Sequence, residues 1–343
     1  MSAVPGGRTH AGRRTLWRDR RGDLLRLLLR RAAVAVPVLA GLSVLVFLLA
    51  DRSPFDPLAA HLGAGYQQSS AGQREELSSA LGLDAPWWQA WGAWVVDLFR
   101  GDAGWSRVYA MPVAEVFAGR LPWTLLLSGT AMAVAVPAAL ACGTAAGLAP
   151  GGRTDRAITR MGVFVQAVPP FVVALGAVTV FAVLLRWAPV AGAAEPGEGY
   201  TAAGVLSHLV LPATTLALTQ LPWMLLAVRT AVARAVASEP VRAARARGLS
   251  RRRTVTGHVL PMSLAPLVTI VGARLPELVV GAVLVEEVFA WPGIASALVA
   301  SAQALDFPLL AALTVATAAV VLAGSLAADT AYLLLDPRVS SDV

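Results

Sequence analysis

Long stretches of this chain run for nineteen residues or more without a charged side chain, among them Ala32 to Ala50, Leu121 to Leu148, Met161 to Leu185, Leu209 to Val228 and Phe307 to Ala328. A further apolar run, Met262 to Val285, is interrupted only by Arg274 and Glu277. A helix needs about 20 apolar residues to cross a hydrocarbon core, and in that solvent an open chain satisfies its backbone only by becoming helical. The pattern predicts an all-α polytopic membrane protein with six transmembrane helices. Composition agrees, since 57% of the 343 residues are hydrophobic and 14% charged, values outside the soluble class.

The charges are as informative as their absence. All 28 basic residues are arginine. A chain without lysine has no Walker A loop, whose lysine reaches the nucleotide phosphates, so any ATP that drives it is bound by another subunit. Cys142 is the single cysteine and lies in an apolar run, so no internal disulfide forms. His10, His61, His208 and His258 are scattered, without the short spacings that place two metal ligands on one helix face. No metal, no cofactor and no nucleic acid partner is expected.

Arginine also sets orientation. The segments 1–31, 149–160 and 229–258 and the tail hold 21 of the 28, whereas the loops 187–208 and 286–306 hold none. By the positive-inside rule both termini and the 229–258 loop face the cytoplasm. The organisation expected is a basic cytoplasmic arm (1–31), a first transmembrane helix (32–50), a largely helical extracytoplasmic region (51–119), a core of five helices (120–333) and a cytoplasmic tail (334–343). A basic arm before an apolar run also describes a signal peptide. Here the run is longer than a typical h-region and has no clear A-x-A site before Asp51, which favours an uncleaved span. Leu24 to Leu29 can lie along the interface as an extension of that span. In the 51–119 region Trp87, Trp88, Trp91 and Trp94 recur at helical spacing, an amphipathic helix on the membrane surface or on the protein. Pro169-Pro170 should kink the third span.

Between the fourth and fifth spans lies SEPVRAARARGLSRRRTVTGHVLP, Ser238 to Pro261. Pro240 suits a first helical position, Ser238 or Glu239 can cap the amides, and Gly248 is a natural left-handed stop, so a helix of about two turns is predicted. Ala243 and Ala244 leave its middle without bulk, and Arg242, Arg245 and Arg247 surround it with positive charge. By residues alone this is equally an ordinary positive-inside loop.

The order Arg242-Ala243-Ala244, three residues, Gly248, nine residues, His258-Val259-Leu260-Pro261 resembles the cytoplasmic coupling loop of permease subunits in binding-protein-dependent ABC importers. The form VRAARARGL is similar to the peptide and nickel branch of that family. Further likeness comes from Ser53-Pro54-Phe55-Asp56-Pro57, Leu81-Gly82-Leu83-Asp84-Ala85-Pro86-Trp87, Arg100-Gly101-Asp102, Gly104 to Ser106, Met111-Pro112-Val113, Asp306-Phe307-Pro308 and Asp329 to Pro337. Glu286-Glu287-Val288-Phe289-Ala290-Trp291-Pro292-Gly293-Ile294 resembles the E-x-x-F-x-x-P-G segment after the fifth span. Pro240 and Pro261-Met262 depart from the family pattern.

The resemblance implies a type I ABC importer permease fold, with Glu239, Arg242, Ala243, Ala244, Arg245, Arg247, Gly248 and Leu249 docking an ATPase subunit. It implies an external turn built on Glu286, Phe289, Pro292 and Gly293, with Phe289 and Trp291 as interface anchors and Gly293 permitting the reversal. Its partners would be a second permease, two ATP-binding subunits and an extracytoplasmic solute-binding protein. The solute would be a di- or oligopeptide, with nickel chelates and glutathione-like solutes served by the same branch. The place would be a bacterial cytoplasmic membrane.

Arg274 and Glu277 stand three positions apart on one face of the fifth span. Charges at membrane depth are costly unless paired or facing a cavity, so they are candidates for the translocation pathway or for a structural ion pair. An ion-coupled secondary transporter would call for corresponding broken helices or midplane acids in both halves, and the halves show no such match. An intramembrane enzyme lacks its motifs, since neither H-E-x-x-H nor G-x-S-x-G occurs.

Overall fold

The computed structural model describes residues 11–53, 57–62, 65–80 and 85–335. The Ser53–Pro57 motif lies mostly outside the described residues, as do Leu81 to Asp84 and the tail beyond Leu335.

α1 runs Ala11–Asp51 without a break, carrying the described part of the basic arm and the first apolar run in one helix. No residue between the arginines and the apolar run stops a helix, and Leu25, Leu28 and Leu29 are exposed along it. Four helices follow, α2 (Pro57–Leu62), α3 (Gly65–Gln68), α4 (Ala71–Ala80) and α5 (Trp87–Phe99), then an antiparallel pair of two-residue strands, β1 (Trp105–Ser106) and β2 (Met111–Pro112). The tryptophan helix α5 packs on the protein. Trp94 is buried with its ring 5.6 Å from that of Phe47 on α1, and the Trp91 indole donates to Ser43 Oγ at 3.0 Å, while Trp88 stays exposed.

α6 (Val113–Gly147) and α9 (Ala202–Ala237) form the centre. α9 has 36 residues, a length of about 54 Å, far more than the roughly 30 Å hydrocarbon core. It is also the most deeply packed span, with Leu216, Met224, Val228 and Val232 fully buried. The close approach of α6 depends on two glycines. A Cβ at Gly143 would stand 2.7 Å from Val228 Cβ, and one at Gly147 would stand 2.6 Å from the Arg229 carbonyl oxygen.

The third span departs most from expectation. α7 (Arg153–Ala167) begins before the uncharged run, stops before Pro169-Pro170, and meets the next limb at 98°. That limb is α8 (Pro170–Ala177) continued by a wider π-type turn over Val178–Leu184. Its 15 residues rise only about 22 Å. A kinked crossing was expected. The two prolines, with Val168 in extended backbone at ψ 125°, produce a corner instead. Five helices are long and apolar enough to cross a membrane, six when this bent pair is counted as one span.

α7 is fixed to α9 by Asp155, which accepts from Arg229 Nε at 2.6 Å and Nη2 at 2.7 Å, from Gly151 N at 2.7 Å and from Thr159 Oγ1 at 3.2 Å. Asp155 precedes the uncharged run, and the Arg229 guanidinium holds its carboxyl well below the usual carboxylate range. A depressed carboxylate stabilises the fold above its unfolded value and loses that contribution as the pH falls towards the lower one.

Beyond α9 come α10 (Glu239–Ala246), α11 (Arg251–Thr254), a π-type turn over Val255–Val259 and α12 (Leu260–Val288). α13 (Ile294–Gln303) and α14 (Phe307–Leu335) complete the chain. The stretch 286–306, expected as a loop, therefore contains a helix, and Glu286 belongs to the last turn of α12. α14 packs along α1 and α12, and Arg31, midway along α1, pairs with Asp329 in the last two turns of α14.

A methyl group at position 147 must push α9 away or move its backbone, and overpacking of this kind costs about 1–3 kcal/mol. Gly147→Ala should lower the melting temperature of the detergent-solubilised protein by several degrees; an unchanged melting curve would show that the α6–α9 approach is looser than described.

Candidate coupling helix and the clamped turn

α10 is formed by its ends. Ser238 is extended, at φ −74° and ψ 152°, and Pro240 occupies the first turn. The expected side-chain cap is absent: Ser238 Oγ turns back and donates to the Ala235 carbonyl at 2.6 Å, satisfying the end of α9 instead of the start of α10. At the other end Gly248 has φ +79°. Gly248 N donates to Arg245 O at 2.9 Å and Leu249 N to Ala244 O at 3.2 Å, the paired bonds of a Schellman stop, which glycine favours because its backbone enters the left-handed region without strain. Ser250 then accepts from Arg253 N at 3.4 Å and starts α11.

The helix has two unlike faces. Val241 and Ala244 are fully buried against the chain itself, Val241 in the same apolar cluster as Val232, Ala235 and Val259. Glu239, Arg242, Ala243, Arg245, Arg247 and Gly248 are exposed, and Leu249 is half-buried. Ala244 was expected to stand beside Ala243 as a bare place for a partner's backbone. Three-residue spacing explains the difference: Ala244 lies one turn from the buried Val241, and only Ala243 remains outward. Arg242 and Glu239 pair on the surface at 3.3 Å, a contact worth little by itself. Thr254 is buried as well, with its hydroxyl donating to Ser250 O at 3.1 Å.

The 286–293 turn is a clamp. Glu286 is fully buried; its Oε1 accepts from Thr124 Oγ1 at 2.6 Å and its Oε2 from Ala295 N at 2.8 Å. Thr124 Oγ1 accepts in turn from Ile294 N at 2.8 Å. Glu286 and Thr124 thus satisfy the first amides of α13, a partnership that joins α12, α6 and α13. Arg120 Nη1 donates to Gly293 O at 3.2 Å and Ser296 Oγ at 2.7 Å.

Phe289 and Trp291, expected at the membrane interface, are buried in the protein. The Trp291 indole donates to Trp123 O at 3.0 Å and its ring meets the Trp123 ring edge-on at 5.6 Å. Gly293 does not make the reversal either. Its φ is −86° and ψ −174°, a conformation open to any residue, whereas Ala290 carries the positive φ of +47°. What Gly293 supplies is space, since a Cβ there would stand 2.2 Å from the Glu286 carboxyl. Pro292 is half-buried beside it.

A second buried acid closes the adjoining end. Asp306 Oδ2 accepts from Ser106 Oγ at 2.8 Å, Arg107 N at 2.7 Å and Val108 N at 3.1 Å, tying the β1–β2 turn to the start of α14. The sequence marked Asp306 only as part of a motif, and Arg120, Thr124 and Asp155 not at all. Asp155 and Asp306 are acids at helix starts, a signal that singles them out afterwards; Arg120 and Thr124 lie inside α6 and carry no such mark.

Of the two charges in the fifth span, Arg274 lies on α12 with its guanidinium carbon 3.6 Å from the centre of the Trp223 ring on α9. Glu277 lies in the same helix, and its side chain is outside the described residues. Among the described residues no group of three or more His, Cys, Asp or Glu is arranged to hold a metal.

A carboxylate is costly to bury only on α10's inward face, so Ala244→Glu should lower melting temperature and yield, whereas Ala243→Glu should melt as the parent does. Equal melting of the two would put Ala244 outside the core. For the turn, Gly293→Ala should destabilise by about 1–3 kcal/mol through overpacking, read as a lower melting temperature; Glu286→Ala, which removes the carboxyl the new methyl would strike, should shrink the further loss caused by Gly293→Ala.

Residues 135–341, more than half of the chain, match the family model described as binding-protein-dependent transport system inner membrane component. The oligopeptide transport system permease protein AppB of Bacillus subtilis is 31% identical over 313 residues, 91% of this chain and 98% of that one. The probable D,D-dipeptide transport system permease protein DdpB of Escherichia coli is 32% identical over 332 residues, covering 91% and 97%. A putative peptide permease protein of Brucella ovis is 29% identical over 317 residues, covering 92% and 99%. With its helical bundle and coverage on this scale, the chain belongs to the family of binding-protein-dependent transport system inner membrane components and is a multi-pass permease with the type I ABC importer fold.

Proposed function

We propose that this chain is one permease half of an importer for di- or oligopeptides, and that α10 is where an ATPase subunit grips it. The observation that carries this reading is the division of α10. Val241 and Ala244 anchor it to the chain's own core while Glu239, Arg242, Ala243, Arg245 and Arg247 face outward. A helix of 8 residues is marginal alone; anchored on one side and stopped at Gly248, it presents a fixed cationic face. Ser238 links it directly to α9, and α11 with the π-type turn links it to α12. A push on α10 therefore acts on the fourth and fifth spans together, which is the rigid-body coupling that alternating access requires.

The names carried by relatives support peptides as solutes; nickel or glutathione import is the alternative within the family. The complete importer would contain a second permease, two ATP-binding subunits and an external solute-binding protein. ATP chemistry would belong to the ATP-binding subunits, because this chain has no lysine for a phosphate loop. Arginine placement supports cytoplasmic termini in a bacterial cytoplasmic membrane, with 51–119 outside and 120–333 as the core.

Ala243→Glu together with Arg245→Glu should leave the permease folded and inserted but reduce co-purification of the ATPase about tenfold or more, the scale of a central interface residue. Sidedness is read with Thr256→Cys in a Cys142→Ala background, because Thr256 is exposed where Thr254 is not. Labelling should require permeabilised cells. Full ATPase retention by the double variant, or labelling of intact cells from outside, would overturn the assignment.

A further inference from the structure

Two separate apolar clusters flank the first turns of α14. One joins Phe47 of α1 and Trp94 of α5 to Ala311, and the other joins Val113 and Val116 of α6 and Ile294 of α13 to Leu309. Between them lies a cavity of about 320 Å³, walled by Trp94 and Leu98 on α5, Phe117 on α6 and Val315 on α14. Ala103, Ala114, Ala312 and Ala316 also line it, and side chains this short leave the space unfilled. Close-packed interiors hold few voids larger than a water molecule, so a gap of this size is a place for something else. Leu98 is itself exposed, and Phe99 beside it is 88% exposed, so the cavity opens on the outside of the bundle. It lies at the Val113 end of α6, remote from Gly147 and from α10.

The lining is apolar apart from one group. Trp94 is 8% exposed, and its indole N–H has no hydrogen-bond partner among the described residues. A buried indole usually finds one. Trp91 donates to Ser43 Oγ and Trp291 to the Trp123 carbonyl, which leaves Trp94 as the exception on α5's inward face.

We propose that this cavity holds one acyl chain of a phospholipid from the leaflet remote from α10, with the ester carbonyl of that chain accepting from the Trp94 indole. The inference requires only that the chain spans a bilayer, and it stands apart from peptide transport and from ATPase docking at α10.

The chemistry of the wall decides between occupants. The volume would suit about ten waters at ~30 Å³ each, yet each needs about two to four polar partners, and the wall offers one donor. A peptide segment would bring amides that an apolar lining cannot satisfy. An acyl chain brings apolar length and, at its glycerol end, a single acceptor. Depth agrees as well. Phe47, whose ring lies 5.6 Å from that of Trp94, stands four residues before the end of α1 at Asp51, a rise of about 6 Å. Hydrocarbon gives way to headgroups at that level, where tryptophan collects in membrane proteins.

The test uses the assembled importer in phosphatidylcholine nanodiscs doped with a phosphatidylcholine that carries a photoactivated diazirine on one acyl chain. Crosslinks mapped by mass spectrometry should reach Leu313, which is fully buried and lines the cavity, as well as the exposed Val134 and Leu184. Ala316→Phe, which fills the space, should cut Leu313 crosslinks about tenfold and leave those at Val134 and Leu184 unchanged. The dialkyl ether counterpart of the probe has no carbonyl, so it should need about threefold or more of the doping fraction to half-saturate Leu313, the scale of one hydrogen bond. Trp94→Phe keeps the ring and removes the donor, and should bring the ester probe down to the ether probe. If Ala316→Phe does not fold, the ester and ether comparison in the parent decides. A parent labelled at Val134 but not at Leu313, or labelled equally by the two probes at Leu313, overturns the inference and leaves the permease reading intact.

Discussion

The close approach of α6 to α9 is the contact on which the other parts depend. Between spans, lipid supplies no hydrophobic drive, so packing depends on how near two backbones can come, and small residues set that distance. Gly143 and Gly147 let α6 lie against Val228 and the Arg229 carbonyl with no room for a methyl group. Once α9 is held there, Asp155 bonds to Arg229 and sets α7, and the lower end of α9 projects with α10 at its tip. The position of α10 is therefore inherited from a glycine contact several turns away.

Three buried acids do the remaining joinery. Asp155 holds α7 to α9, Glu286 holds α13 to α6 and α12, and Asp306 holds the β1–β2 turn to α14. Each accepts several short bonds from backbone amides or side chains, so the cost of burying the carboxyl group is offset where it sits. All three lie at helix ends, where backbone amides without helical partners are concentrated. A polytopic protein needs such fastenings because its spans are chemically alike and only their ends carry distinctive polar groups. In this chain the fastened ends frame the clamped turn and α10, and leave the Trp223–Arg234 side of α9 uncovered.

Much of the fold was legible in advance for one reason: a bilayer tests each span separately, by length and charge, so the number of spans and the helical class follow from local composition. The two-turn helix at Glu239–Ala246 and its stop at Gly248 were legible for a similar reason, since proline and glycine act through their own backbone. The inward turn of Ala244, the burial of Phe289 and Trp291 and the spatial role of Gly293 were not. They depend on what stands opposite, which periodicity in a short, apolar-rich segment does not reveal.

By itself the sequence determined a helical, multi-span membrane protein with an arginine-rich helix between its fourth and fifth spans, because hydropathy, charge and turn chemistry are properties of short stretches. Tertiary structure alone decided that Asp155 holds Arg229, that Glu286 and Asp306 bind helix ends brought beside them, and that Arg274 lies on Trp223. Those outcomes join residues tens or hundreds of positions apart, and contact at that range is fixed by how the helices pack.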